Sequence, residues 1–226
     1  MIYVSIDIET SGLDHEKHKV LSIGAIIEDS EKKLSFEECP KFNAIVLQNE
    51  IVGSPRALTM NQGIISLMGL YLEANKEDRE KLIMVEDLQP YGYKFYEKEE
   101  VVVEFYRFLF ANGFGYELGP GDFANTIHNV EYPAIGGKTK PITINVAGKN
   151  FGTFDKLFLQ ELPWWQKLIR TRQRVLDPAI LMVDWKNDTS LPNLTTCKER
   201  AGVNGIVTHN ALEDAWDVIE VLRKFY

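Results

Sequence analysis

Met1-Ile-Tyr-Val-Ser-Ile-Asp-Ile-Glu-Thr-Ser-Gly-Leu13 is the stretch on which the reading of this chain turns. Ile2, Val4, Ile6 and Ile8 alternate with Tyr3, Ser5, Asp7 and Glu9, and a period of two predicts a β-strand. One face is branched aliphatic and has to be buried. The other ends in two carboxylates. Residues i and i+2 of a strand point the same way, roughly 6.5 Å apart at the backbone. Asp7 and Glu9 can therefore converge on one small charged object. Two carboxylates at the end of an apolar strand repel each other and resist burial. A hard divalent cation such as Mg2+ or Mn2+ relieves both costs, because it takes oxygen ligands. Gly12 then permits a sharp turn, with Leu13 just beyond it. Taken alone, Asp7 and Glu9 read equally well as solvated strand-end residues.

Working outward, 226 residues with 45% hydrophobic content suffice for one sizeable core. A single domain spanning 1–226 is expected. A net charge of −8 argues against a sequence-independent duplex-DNA binder, which needs a broad basic face. Cys39 and Cys197 form no CxxC pair, so reduced thiols in a cytoplasmic protein are expected. No apolar run reaches membrane-span length, and no basic stretch followed by an apolar core suggests a signal peptide.

Val20–Ile27 predicts a second strand, antiparallel to the first because the connection is short. His15 and His18 in that connection read as surface histidines. A third strand is expected around Phe42–Leu47. Ser54-Pro55 marks a helix start, with apolar spacing to Leu72 and a break at Gly63. Residues 73–81 are mostly charged, and 82–93 read as an exposed connection. Glu99–Phe110 returns to an amphipathic helix. Gly119-Pro-Gly121 and Gly136-Gly137 make 113–137 loop-rich. Pro141–Ala147 predicts a strand leading through Asn150-Phe-Gly-Thr-Phe-Asp155 into a helix, the order an α/β crossover needs. Val175-Leu176 reads as a short strand. A helix follows Asn193 and ends at Gly202. The last helix is capped by Asn210 with Glu213.

Three segments carry chemistry: Asp7 and Glu9 on a strand, Asp155 at a strand–helix junction, and His209 with Asp214 at the final helix. Singly, Asp155 reads as a first-turn helix residue, His209 as a loop histidine and Asp214 as a solvated one. Together, four carboxylates and one imidazole are what two-metal phosphodiester hydrolysis requires. Imidazole titrates near working pH and can accept a proton from water.

The chain resembles the DEDDh family of 3′→5′ exonucleases, which includes proofreading exonucleases, ribonuclease T and oligoribonuclease. The matching segments are Asp7-Ile-Glu-Thr-Ser-Gly-Leu13, Asn150–Leu159 and His209-Asn-Ala-Leu-Glu-Asp-Ala215. Ala57–Ile64 is a weaker echo, with Asn61-Gln62 where the family usually has a histidine. The resemblance implies an α/β fold: a ribonuclease-H-like, mixed, mostly five-stranded sheet flanked by helices, with a central insertion at roughly 73–140. It implies that Asp7, Glu9 and Asp214 hold one of two Mg2+ (or Mn2+) ions, Asp7 bridging to the second and Asp155 contributing through water. His209 would be the general base. Thr10 and Leu13 would meet the terminal nucleotide, and Asn61 is a further substrate-binding candidate. The expected partner is single-stranded nucleic acid or a short oligonucleotide, RNA slightly favoured over DNA, with a homodimer an open option and no membrane. Two alternatives stand beside this: a non-catalytic nucleic-acid-binding or scaffold module, and a polymerase-associated DNA proofreader. No long tail flanks the motifs for a polymerase to grip. Lys167, Arg170, Arg172 and Arg174 form the densest positive run. They are read either as solvated surface or, with Trp164 and Trp165, as a surface for the substrate strand upstream of the cut.

Overall fold

The computed structural model describes residues 1–84, 92–115, 125–127, 130–132 and 141–226. β1 (Ile2–Thr10) and β2 (Val20–Asp29) pair antiparallel, from Ile2 opposite Asp29 to Glu9 opposite Ser22. β3 (Lys41–Val46) continues antiparallel on β2. α1 (Pro55–Met60) is capped by Ser54, whose Oγ accepts from Ala57 N at 3.3 Å. The expected break falls at Asn61 rather than Gly63, and α2 (Gln62–Glu73) starts there. The reason is local: the Asn61 amide donates to the Ala57 and Thr10 carbonyls, each at 3.2 Å.

α3 (Lys76–Met84) occupies the charged stretch, and β4 (Lys94–Tyr96) then pairs parallel with β3. That makes six strands in the sheet where five were expected. Phe95 on β4 stacks on Tyr71 of α2 with ring centroids 4.1 Å apart, and Tyr93 is buried. Aromatic anchoring, invisible to periodicity in so short a strand, turns the end of the expected connection into a sheet edge. α4 (Val101–Ala111) follows, then a small antiparallel pair, β5 (Asn125–Ile127) and β6 (Val130–Tyr132). The remainder of the 113–137 loop reading and most of 82–91 lie outside the described residues.

β7 (Ile142–Ala147) runs parallel to β1, with Val4 opposite Val146. α5 (Asp155–Glu161) and α6 (Trp165–Leu168) lead into β8 (Ile169–Leu176), parallel to β7. β8 is far longer than the two-residue strand expected at Val175-Leu176. Its arginines and interleaved polar residues carry no hydrophobic signal, because it is an edge strand. α7 (Pro178–Met182), α8 (Leu194–Ala201) and α9 (Ala211–Leu222) complete the chain. The strand order is β4-β3-β2-β1-β7-β8, a mixed sheet with helices on both faces.

One face carries Val4, Ile6, Ile8, Ile23, Ala25 and Val146 under α4, α5 and α6. The opposite face carries Tyr3, Ile26 and Ala147 under α9, and Leu21 and Ile45 under α2. Because both faces are covered, the register of β1 is fixed: a one-residue slip would drive Asp7 and Glu9 into the α4–α5 core. Among the described residues, no helix is long and apolar enough to cross a membrane.

Candidate active site

β1 alternates Ile6 and Ile8 into one core and turns Asp7 and Glu9 to the other face, beneath the start of α9. Asp7 lies opposite Gly24 of β2. A Cβ at Gly24 would stand 2.3 Å from the Ala211 carbonyl carbon and the Leu212 nitrogen. Only glycine lets the first turn of α9 settle this close to the sheet. Ser5 Oγ donates to the Ala215 carbonyl at 2.7 Å, tying the same helix to β1. At its N-terminus, Asn210 Oδ1 accepts from Leu212 N and Glu213 N, while Asn210 Nδ2 donates to Tyr93 Oη at 2.7 Å. The expected cap is present, although Glu213 turns instead to a hydrogen bond with Thr208 Oγ1.

This anchoring brings Asp214 over β1. The carboxylate oxygens of Glu9 and Asp214 and a ring nitrogen of His209 lie within 4.8 Å of one another. His209 is exposed and holds the left-handed backbone region at φ 56°, which a non-glycine residue adopts only when its surroundings impose it. Asp155, the first residue of α5, is buried from the opposite side. Its Oδ1 accepts from Ile8 N at 3.2 Å. β7 can leave the sheet beside β1 because Gly148 lacks a Cβ, which would stand 2.7 Å from the Ile6 carbonyl oxygen.

The electrostatics follow from burying four acids together. Burial raises Asp7 well above the carboxylate range, and Asp155, Asp214 and Glu9 raise it further. Glu9 is pushed up to about 8, first by burial and then by Asp214, with the Asn61 amide drawing it partly back. Burial is also the main cause for Asp214, at about 7, with Asp217 and Glu213 adding to it. Asp155 is raised by burial, against the Ile8 amide that favours its charged form. Among the described residues Asp214 Oδ1 is buried without a hydrogen-bond partner. An orphaned carboxylate oxygen inside a cluster of mutually repelling acids is the signature of a site built for a cation. Oxygen-rich and thiol-free, the donor set suits Mg2+ or Mn2+.

Beside Glu9 a cavity of about 320 Å³ opens, bounded by Thr10, Leu13, Ala57, Asn61 and Phe154. Leu13 is 83% exposed and forms its rim. Thr10 is buried, its Oγ1 donating to the Gly12 carbonyl at 2.7 Å. Asn61 is buried beside Glu9. Asp7, Glu9, Asp155, Asp214, His209, Thr10, Leu13 and Asn61 are thus gathered in one place.

Arg170 and Arg172 are not. Arg170 stands opposite Thr143, level with Met1 and so about 20 Å down the strand direction from Asp7. The expected aromatic partners also separate. Trp165 is buried, stacked on Phe105 at 5.8 Å, and Lys167 lies over Trp164. Both belong to α6 and its packing on α4. His15 packs edge-on against Phe158 and His18 Nδ1 accepts from Asp14 N at 3.0 Å, away from the carboxylates. Sequence reasoning missed Gly24 and Tyr93. A lone glycine inside an otherwise apolar strand is the signal for close backbone approach, and Tyr93 offered none.

No protein-family model matches the chain, and no curated protein sequence does. Solved structures do. Exonuclease I from Methylocaldum szegediense matches with a TM-score of 0.55 at 13% identity, over 99% of this chain and 40% of that one. E. coli exonuclease I in complex with a dT13 oligonucleotide gives 0.52 at 13% identity, over 98% and 40%. The nuclease domain of 3′hExo, a DEDDh family member, bound to rAMP, gives 0.50 at 12% identity, over 99% and 90%. At such identities the likeness is one of fold, the ribonuclease-H-like α/β architecture. This chain spans about 40% of the length of the exonuclease I chains it matches.

Proposed function

We propose that the chain is a single-domain, metal-dependent 3′→5′ exonuclease that hydrolyses single-stranded nucleic acid or short oligonucleotides, RNA slightly favoured, to nucleoside 5′-monophosphates. The observation that carries the proposal is the convergence of Asp7, Glu9, Asp155, Asp214 and His209 from three distant segments, around an unpartnered buried Asp214 oxygen.

Asp7, Glu9, Asp214 and Asp155 would hold the two cations, Asp7 serving both. Bound there, Mg2+ or Mn2+ supplies charge neutralisation at the scissile phosphate and at the departing oxygen. The remaining roles belong to the chain. His209, exposed at the rim with its ring turned to Glu9 and Asp214, accepts the proton of the attacking water. The 320 Å³ cavity takes the terminal nucleotide, its sugar against Thr10 and its base against Leu13. Asn61 fixes that wall by binding the Thr10 and Ala57 carbonyls. A pocket closed on one side by Phe154 and on the other by α1 accepts a strand end more readily than a continuous strand, which gives the exonucleolytic mode. Similarity to proteins crystallised with dT13 and with rAMP supports a nucleic-acid end as ligand.

The test is incubation with Mg2+ or Mn2+ and end-labelled single-stranded RNA and DNA of several lengths. Product ladders shortening from the 3′ end, with 5′-monophosphates released, are expected. Cutting of a circular single strand as fast as a linear one would overturn the exonucleolytic reading.

A further inference from the structure

We infer that the outer edge of the sheet is a second, separate nucleic-acid contact: a phosphate track that holds the 5′ side of a single strand whose 3′ end occupies the carboxylate site. The strand's direction rests on the exonuclease reading; the track itself does not. The observation is a groove of about 750 Å³ beside β8, lined by Lys156, Arg170, Arg172 and Arg174. Thr143 and Asn145 on β7, with Thr171 and Gln173, complete it. Among the described residues no carboxylate lines it, in a chain of net charge −8. Among the described residues, none of the four cationic side chains has an ion-pair or hydrogen-bond partner.

Charged residues on an edge strand ordinarily serve to block edge-to-edge pairing. Two features exceed that need. First, the β7–β8 register slips between Ile144 and Val146, so Arg172, Gln173 and Arg174 together face Asn145. The slip brings two of the arginines to one level of the edge. Second, Lys156 comes from a different element, α5, and follows Asp155 directly. It lines the groove together with the arginines, one residue along α5 from a carboxylate of the site. The four charges therefore come from two elements, α5 at the site and β8 at the edge, and share one groove. Arg170 faces Thr143 and Arg174 faces Asn145, so along the strands they stand about 7 Å apart, room for about two phosphates of an extended strand.

Arginine and lysine facing an all-polar groove fit phosphate oxygens. Among the described residues no aromatic side chain lines the groove, so the recognition proposed is of backbone charge, independent of sequence. The track is too short and one-sided for a duplex, which needs a broad basic face.

The experiment measures binding of a 5′-labelled 12-nucleotide oligo(U) by fluorescence anisotropy, in chelator so that no turnover occurs, across a salt series. The variant R170Q/R172Q/R174Q should bind at least about tenfold more weakly at low salt. Its log Kd against log salt slope should fall by about 1.4, for two phosphate contacts at about 0.7 each on a single strand. K186Q/K224Q, which removes exposed positive charge elsewhere, should keep the wild-type slope. Wild-type affinity and slope in the arginine variant would overturn the track. So would a 12-base-pair duplex that binds as tightly as the single strand. Failure of the exonuclease reading shows separately, as absence of hydrolysis by the wild type with Mg2+ or Mn2+.

Discussion

Glu9→Gln should stabilise the metal-free protein at neutral pH. Glu9 carries a proton in the folded state up to about 8, against an ordinary value of 4.5. Its folded pKa is raised, so the folded chain binds more protons than the unfolded chain between those values. Stability is therefore complete below about pH 4.5 and falls as pH rises towards 8. At pH 7 the penalty is the free energy of keeping a proton that the unfolded chain has released, about 3 kcal/mol. Glutamine keeps the shape and removes the proton equilibrium. For a chain of this size 1 kcal/mol moves the melting temperature by about 2–4 °C. The variant should melt roughly 6–12 °C higher in chelator at pH 7, and no higher than wild type at pH 4.5. Asp7, Asp155 and Asp214 are shifted in the same direction, so the wild-type profile keeps this sign. Asp188, held at about 2 by Arg200, acts only below this window. Adding Mg2+ or Mn2+ should stabilise wild type more than the variant, since a ligand stabilises the state that binds it. Scanning calorimetry in chelator from pH 4.5 to 8 is the assay. Equal melting of wild type and Glu9→Gln at pH 7 would refute the repelling-cluster argument.

Three further outcomes follow from the site. Asp7→Ala should abolish turnover while the circular dichroism spectrum and melting temperature stay at or above wild type; near wild-type cleavage by a folded variant would remove Asp7 from the metal set. His209→Ala should lower kcat by roughly two to four powers of ten, with Mn2+ affinity by calorimetry changed much less; a parallel collapse of Mn2+ affinity would make His209 a ligand instead. Gly24→Ala should lower the unfolding free energy measured by urea titration by about 3 kcal/mol or more, because the added methyl would lie 2.3 Å from the α9 backbone; an unaltered urea midpoint would mean that α9 docks elsewhere.

Most of the sheet was legible because β1, β2 and β7 announce themselves by alternation or by continuous apolar runs. The α9 boundaries followed from Asn210 and the apolar positions after it. β4 and β8 were not legible as they stand, for opposite reasons. β4 is three residues long and is held by aromatic stacking of Phe95 on Tyr71, a tertiary contact with no local period. β8 is long but is an edge, and its arginines face water. Of the candidate residues, the carboxylates and His209 could be read because chemistry restricts which side chains can do such work. Spatial proximity of the arginines could not. Nearness in sequence to the Asp155 helix suggested nearness to the cleft, but the parallel register of β7 and β8 puts Arg170 at the opposite end of the strands.

Four carboxylates that repel one another oppose their own assembly, so the forces that gather them have to come from elsewhere. Each acid sits on an element anchored by something other than charge. Asp7 and Glu9 are held by the aliphatic face of β1, whose full burial contributes about 1.5–3 kcal/mol per Val or Ile side chain. Asp155 is held by Phe158 and Leu159, buried one turn further along α5. Asp214 is held by Leu212, Val218 and Ile219 in the opposite core, by the Ser5 bond to Ala215 and by the close fit over Gly24. Asp217, on the next turn of α9, is paired at 2.6 Å with buried Lys198 of α8; Lys198 partly offsets the rise that Asp217 causes at Asp214. A substitution that weakens this packing should therefore separate the acids and relieve their repulsion together. For that reason losses of activity from core changes under α9 should exceed their losses of stability.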